Sequence, residues 1–369
     1  MSKHLKLAAL GTLGLVLAVQ AQGAEEKKGL MIGGSFEGGY GHGWGDTIAR
    51  SSQFFIDDLN MKFNVNVSDK IKVVVDQHWA AAPTGTGTAS SQWNSNNQVF
   101  DNMVIGGNTT DSAGHTTTNP LSMAIQSAYV EHKCGDHMTS QFGFVRTPFG
   151  IENMWTRFDS HSYYYSTGFT SQRTNGWDAD LGIKSTFTNV GNLEVAILEG
   201  RRNTTWNGTG GGNNSFSRHM PSAAARWSTG MKASGMDITP VISAYTGRWH
   251  GGPLDVGAAA GATMKTGMFG VNAEYMYGKE NSNDTDAGKT TMHNVWVEPT
   301  FDLGMVNASA KIDWVNNKTA SNDSVSNWNL SGAVTHDWDK LRVRGAFTTR
   351  NLKTGTREHD FRVMFGTKF

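Results

Sequence analysis

The stretch 341–369 constrains the fold more than any other. Its first piece, LRVRGAFTTR, sets Leu341, Val343, Gly345 and Phe347 against Arg342, Arg344, Ala346, Thr348 and Arg350. Its last piece, HDFRVMFGTKF, sets Phe361, Val363, Phe365 and Phe369 against Arg362, Met364, Gly366 and Lys368. A period of two is the mark of β-strands. A polar turn containing Gly355 joins the pieces. A strand like the last one is an exposed edge in an open sheet, whereas in a closed barrel it has a partner on each side.

The same pattern recurs along the chain and predicts sixteen strands. The first fourteen are expected at 30–40, 55–67, 71–79, 124–132, 138–146, 177–187, 193–200, 220–227, 237–245, 254–264, 269–277, 292–301, 306–315 and 328–336. The second is the clearest, with Leu59, Met61, Phe63, Val65 and Val67 alternating with polar residues. The fourth leaves its parity open, because Tyr129 and Val130 compete for the outer face. The glycine-rich GHGWGD that follows the first reads as a loop. Connections alternate between short turns and longer polar loops, the short ones following the even-numbered strands. This predicts a 16-stranded antiparallel transmembrane β-barrel with short periplasmic turns and longer external loops. Strands of about 9–11 residues match a tilted crossing of a bilayer. No apolar run is long enough for a membrane-spanning helix, and the 12 Trp and 18 Phe suffice for aromatic girdles at two interfaces.

The first residues point to export. Lys3 and Lys6 precede the apolar run 7–18, and small residues follow at Ala21 and Gly23, as in a secretory signal peptide. The expected organisation is therefore a signal peptide over 1–23 and one barrel over 24–369. Cys134 is the single cysteine, which excludes an intramolecular disulfide and thiol metal clusters. Without Lys3 and Lys6, 30 basic residues stand against 32 acidic ones, which suggests no nucleic-acid partner. The turn residues His132, Cys134, Asp136 and His137 have metal-binding chemistry but fit no established zinc spacing. No cofactor and no catalysis are implied.

Lipid decides which faces look inward. An arginine at mid-membrane on the lipid side costs roughly 2–4 kcal/mol. Arg342 and Arg344 are therefore expected to line the lumen. The same argument places Lys62, Lys184, Arg226, Lys311, Arg362, Glu274, Asp313 and Asp58 inside. A barrel of sixteen strands is too wide for side chains to fill and encloses an aqueous channel.

With this pattern, the chain resembles the Gram-negative outer-membrane porins, both in architecture and in its terminal Phe369 after alternating apolar residues. The resemblance covers about 30–369. The run Arg146-Thr147-Pro148-Phe149-Gly150-Ile151-Glu152 looks like the Pro-Phe-Gly stretch of phosphate-selective and related porins, although the dense basic ladder of a phosphate channel is missing. The resemblance implies a homotrimer in outer-membrane lipid, with the third external loop, 147–176, folded inward as a constriction. Glu152 and Asp159 are then expected opposite a basic wall of Arg342, Arg344 and Arg362. A transverse field of that kind orders water and favours small polar solutes. The implied function is passive diffusion of ions and small hydrophilic solutes. The alternatives are a channel specific for anions, phosphate or sugars, and a structural barrel with a plugged lumen.

Overall fold

A computed structural model describes residues 29–46, 51–81, 109–110, 116–117, 121–155, 160–162, 164–167, 179–198, 220–248, 254–281, 289–319, 324–353 and 357–369. The leader expected over 1–23 lies outside these. The barrel strands are β1 (Leu30–Gly45), β2 (Ser51–Asn66), β3 (Ile71–Ala81), β4 (Leu121–Lys133), β5 (Met138–Arg146), β6 (Ala179–Phe187), β7 (Asn192–Leu198) and β8 (Met220–Ser228). They continue as β9 (Met236–Arg248), β10 (Leu254–Thr266), β11 (Phe269–Asn281), β12 (Lys289–Asp302), β13 (Val306–Thr319), β14 (Ser324–Trp338), β15 (Leu341–Arg350) and β16 (Glu358–Lys368). β8 resumes after a short break as Met231–Ala233, which pairs with the start of β9. Between β3 and β4, Thr109–Thr110 and Thr116–Thr117 form a separate two-stranded pair.

Each barrel strand pairs antiparallel with the next, and β16 pairs back onto β1 from Ser35↔Lys368 to Gly45↔Glu358. The result is a closed 16-strand antiparallel barrel. Gly34 and Phe369 exchange backbone hydrogen bonds of 2.9 and 3.1 Å beside this seam. Of the seven glycines among the 16 residues of β1, close approach explains Gly34, Gly39 and Gly45. A Cβ on Gly39, for example, would sit 2.0 Å from the Val363 carbonyl oxygen.

The GHGWG stretch is strand and not loop, which corrects the expected end of β1. Its residues pair with 358–362. The Trp44 ring also stacks between His42 at 5.4 Å and His359 at 5.2 Å. Short-range composition suggested a turn, and cross-strand pairing with a strand distant in sequence overrides it. Among the tight turns, Ser234 (φ 50°) and Gly235 (φ 77°) both adopt the positive φ that a two-residue hairpin with the sheet's twist requires.

Alternation separates two environments. Lys311 is 1% exposed and faces inward, while its neighbour Ile312 is 51% exposed and faces outward. Val130 faces outward and Tyr129 packs inside on Val145, Ala196 and Leu198, which settles the parity of β4. The outer surface carries Ile197, Ile242, Val334 and Phe365, all exposed. Trp314 and Trp328 pair toward the long-loop end, and Phe269 and Phe301 pair toward the short-turn end. An apolar belt all round a closed barrel, with every strand edge paired, is what a bilayer demands of a spanning structure.

Candidate channel constriction

The segment after β5 turns into the barrel and runs along its inner wall. Thr147 and Phe149 are already buried, and the Phe149 ring meets Tyr245 of β9 edge-on at 4.9 Å. Phe149 also joins a core with Ala224, Ala259 and Met276. Gly150 has φ 68°, and a Cβ there would crowd the Glu274 carboxylate at 3.3 Å. A short 3-10 helix, Glu152–Met154, follows.

A chain segment inside a barrel has no strand partner, so its backbone N–H groups must find other acceptors. Wall carboxylates supply them. Ile151 N–H donates to Glu274 (2.8 Å), Ser162 N–H to Glu298 (3.0 Å) and Thr167 N–H to Asp313 (2.9 Å). Hydroxyls and a guanidinium take part as well. Gly150 N–H donates to Ser243 Oγ (2.9 Å), and Arg226 Nε donates to the Gly150 carbonyl (3.0 Å). The Tyr164 hydroxyl donates to Asp360 (2.8 Å), so the loop reaches from β8 round to β16.

The centre of this contact is Lys311. Its ammonium lies 2.6 Å from Glu152 of the loop and 3.7 Å from Glu298 of the wall. It also donates to the Tyr164 carbonyl at 2.8 Å and sits 5.0 Å from the Trp296 ring centroid. Ser166 closes the loop on itself by donating its N–H and its hydroxyl to Glu152. Trp155 packs against Trp296 at 6.2 Å.

The inner wall therefore carries two kinds of charged group. Lys311, Glu274, Arg226 and Lys184 face inward and are buried. The first three bind the loop, and Lys184 shares Glu194 with Arg226 at 3.4 and 3.2 Å. Their expected place along the water is corrected to a place beneath or beside the loop. Lys62, by contrast, is exposed, and its cross-strand neighbour is Asp76. At the root of the loop, Arg146 donates to the Asn153 carbonyl at 3.3 Å and pairs with Asp76 at 4.0 Å, and farther along the wall Lys72 pairs with Glu131 at 3.9 Å.

The expected opposition of Glu152 to Arg342, Arg344 and Arg362 is also corrected. Glu152 is fully buried on Lys311. A buried carboxylate needs a cation or hydrogen-bond donors in contact with it, and a field acting across open water supplies neither. Each arginine meets its own carboxylate: Arg342 with Asp337 (2.6 Å), Arg344 with Glu37 (3.4 Å) and Arg362 with Asp360 (2.7 Å). Asp159 lies outside the described residues. Glu298 and Trp296 were not singled out from sequence. The outward alternation of Val295 and Val297 was the signal that turns both inward.

Comparisons with known proteins bear on the fold. No protein-family model matches the sequence, and no curated protein does. Solved structures do match. A loop L8 deletion mutant of OmpT, an outer membrane protein of Vibrio cholerae, superposes with a TM-score of 0.59 at 8% identity, covering 93% of this chain and 100% of that one. The in-vitro folded trimer form of OmpT from Vibrio cholerae gives 0.53 at 8% identity, covering 93% and 100%. The anion-selective porin from Comamonas acidovorans gives 0.55 at 9% identity, again covering 93% and 100%. At such identities the likeness is one of fold: the chain has the sixteen-stranded barrel of these outer-membrane proteins.

Proposed function

We propose that this chain is a porin of the outer membrane of a Gram-negative bacterium, a water-filled channel for passive diffusion of ions and small hydrophilic solutes. The observation that carries the reading is the loop held against one side of a wide barrel by Lys311 and the wall carboxylates. A loop so held would narrow the lumen, with the Lys72–Glu131 pair on the wall that remains. The Lys72–Glu131 pair keeps 34% and 25% side-chain exposure on the inner wall, as a wet lumen allows. In this reading Arg342 and Lys62 face the water, Arg344 and Arg362 lie buried in the inner wall on Glu37 and Asp360, and Glu152, Lys311, Glu274, Arg226 and Lys184 fix the constriction. The apolar belt and the likeness to the trimer form of OmpT support a homotrimer in lipid. The apolar start of the sequence supports export through a leader over 1–23 that is cleaved. The reading assigns no catalysis.

The refolded protein in planar bilayers should give discrete, ohmic conductance steps in potassium chloride. Replacing Arg342 by Ala leaves Asp337 without its cation, and Arg344→Ala does the same to Glu37. Reversal potentials across a salt gradient should then shift toward cation selectivity for each variant. A protein that folds and inserts yet passes no current would rule out the diffusion channel in favour of a plugged barrel. Unchanged selectivity in both variants would remove the arginines from the pore wall.

A further inference from the structure

The loop carries one group that no contact of the constriction uses. His161 is exposed between Ser160 and Ser162, which are 1% and 0% exposed. Ser162 is fixed to the wall, its N–H on Glu298 at 3.0 Å, and its hydroxyl donates to the Tyr164 carbonyl at 3.0 Å. With both neighbours in the packing, the imidazole is turned out of it. Its ring meets Trp155 at 5.9 Å in an edge-to-face contact, and Trp155 rests on Trp296 of β12 at 6.2 Å. The open side of the ring borders a cavity of about 450 Å³ on the short-turn side of the loop, which the inner wall from β9 to β15 completes.

The other described histidines lie elsewhere. His42, His293 and His359 stand on the outer face against Trp44, Tyr275 and Tyr277. His336 follows Thr335, which lines the cavity, and so points outward too. His132 and His137 flank the turn between β4 and β5. Among the described side chains, His161 is therefore the one imidazole inside the barrel.

Charged groups face it from several elements. Glu298 of β12 and Glu152 of the loop share Lys311 of β13 at 3.7 and 2.6 Å. Arg342 and Arg344 of β15 meet Asp337 of β14 at 2.6 Å and Glu37 of β1 at 3.4 Å. Nearer the mouth are two solvent-exposed pairs, Lys265 of β10 with Asp302 of β12 at 3.3 Å and Asp237 of β9 with Lys232 at 3.5 Å. From β11 the cavity meets Gly270 and the neutral Asn272. Arg157 and Asp159 of the loop lie outside the described residues. His161 makes no ion pair among the described residues, so its proton is exchanged with the water of the cavity.

We propose that His161 is a selectivity-determining residue whose protonation, as the pH falls, turns the channel toward small anions. The imidazolium adds one positive charge to the cavity, where low-dielectric walls focus its field on passing ions. An imidazole gains its charge as pH falls, so anion preference rises toward acid and fades toward alkali. The change falls below the ordinary imidazole value of about 6.5. Enclosure by the wall holds the group under that value, with Lys311, Arg344 and Arg342 adding to the effect and Glu298 opposing it. The assignment rests on the porin reading and deepens it by naming a regulator of the same channel.

The test is the reversal potential of the full chain in planar bilayers under a potassium chloride gradient, at steps between about pH 7.5 and 5. The ratio of anion to cation permeability should rise roughly 2- to 5-fold toward acid, the effect of one unit charge about 7 Å from a passing ion in screened water. His161→Gln should flatten the profile at the alkaline level. His161→Arg, charged throughout, should flatten it at the acid level. His161→Asn stands in for His161→Gln if that variant fails to insert. A wild-type ratio that does not change with pH overturns the proposal, as does a pH profile kept in His161→Gln, and both leave the porin intact. A His161→Arg channel with the alkaline selectivity of the wild type overturns the charge mechanism. A protein without any conductance overturns the porin reading itself.

Discussion

Lys311 holds the loop, and its removal gives the sharpest prediction. In Lys311→Met the side-chain volume stays and the charge goes. Glu152, fully buried, then faces Glu298 with no cation between them, and the Tyr164 carbonyl loses its donor. Breaking a buried pair by deleting one partner costs about 3–5 kcal/mol. At about 1.4 kcal/mol per tenfold, the ratio of docked to undocked loop falls by two to three and a half orders of magnitude. The sixteen-strand ladder does not depend on this contact, so the barrel should still form. Open-channel current noise and spontaneous closures should rise sharply, and a protease added to reconstituted barrels should cut within 147–178. The double variant with Glu152→Gln removes the like-charge contact with Glu298 and should recover part of the docking, although Glu298 still lacks its cation. Quiet channels and intact protease protection in Lys311→Met alone would refute the argument that this ammonium anchors the loop.

Two further predictions concern the barrel itself. Ile312→Arg places a guanidinium on the lipid side at mid-strand, next to the inward Lys311, and should cost about 2–4 kcal/mol, read as a lower urea midpoint in refolding into lipid vesicles; Ile312→Leu should leave the midpoint in place, and equal midpoints for all three proteins would contradict the outward assignment. Gly39→Val drives a side chain toward the Val363 carbonyl oxygen, which a Cβ would approach to 2.0 Å; it should abolish the compact, heat-sensitive barrel band on unheated gels, whereas a wild-type band would show that the seam gives way easily.

The strands were readable from sequence because the side-chain period of two reports directly on a sheet with lipid on one side and water on the other. Phe347 against Arg344, or Ile312 against Lys311, needs no partner to be read. The segment 41–45 was misread because its strand character comes from pairing with 358–362, which no local window contains. The contacts of the described loop residues with the wall were invisible in the sequence. Glu152 and Lys311 are 159 residues apart and meet only once the barrel closes. Counting charges suggested opposed rows across open water. The structure instead gives Glu152, Arg342, Arg344 and Arg362 each an oppositely charged neighbour in contact, because desolvation penalises an ion left to act at a distance. Tyr129 and Val130 could be ordered only once Val145, Ala196 and Leu198 were in place around the ring.

The seam between β1 and β16 has a kinetic consequence. Fifteen of the sixteen pairings join neighbours in sequence and can form as a growing series of hairpins, whereas Ser35 and Lys368 are 333 residues apart. Long-range closure is the slow, entropically costly step. Until it happens, the intermediate is a nearly complete sheet with two bare edges, one of them the glycine-rich β1, which offers few side chains to favour the right partner over a wrong one. The moment of greatest risk for this chain therefore comes late, when the work of pairing is almost done. A catalyst of its assembly would act best by sheltering those two edges and bringing them together, with the interior strands left to sort themselves.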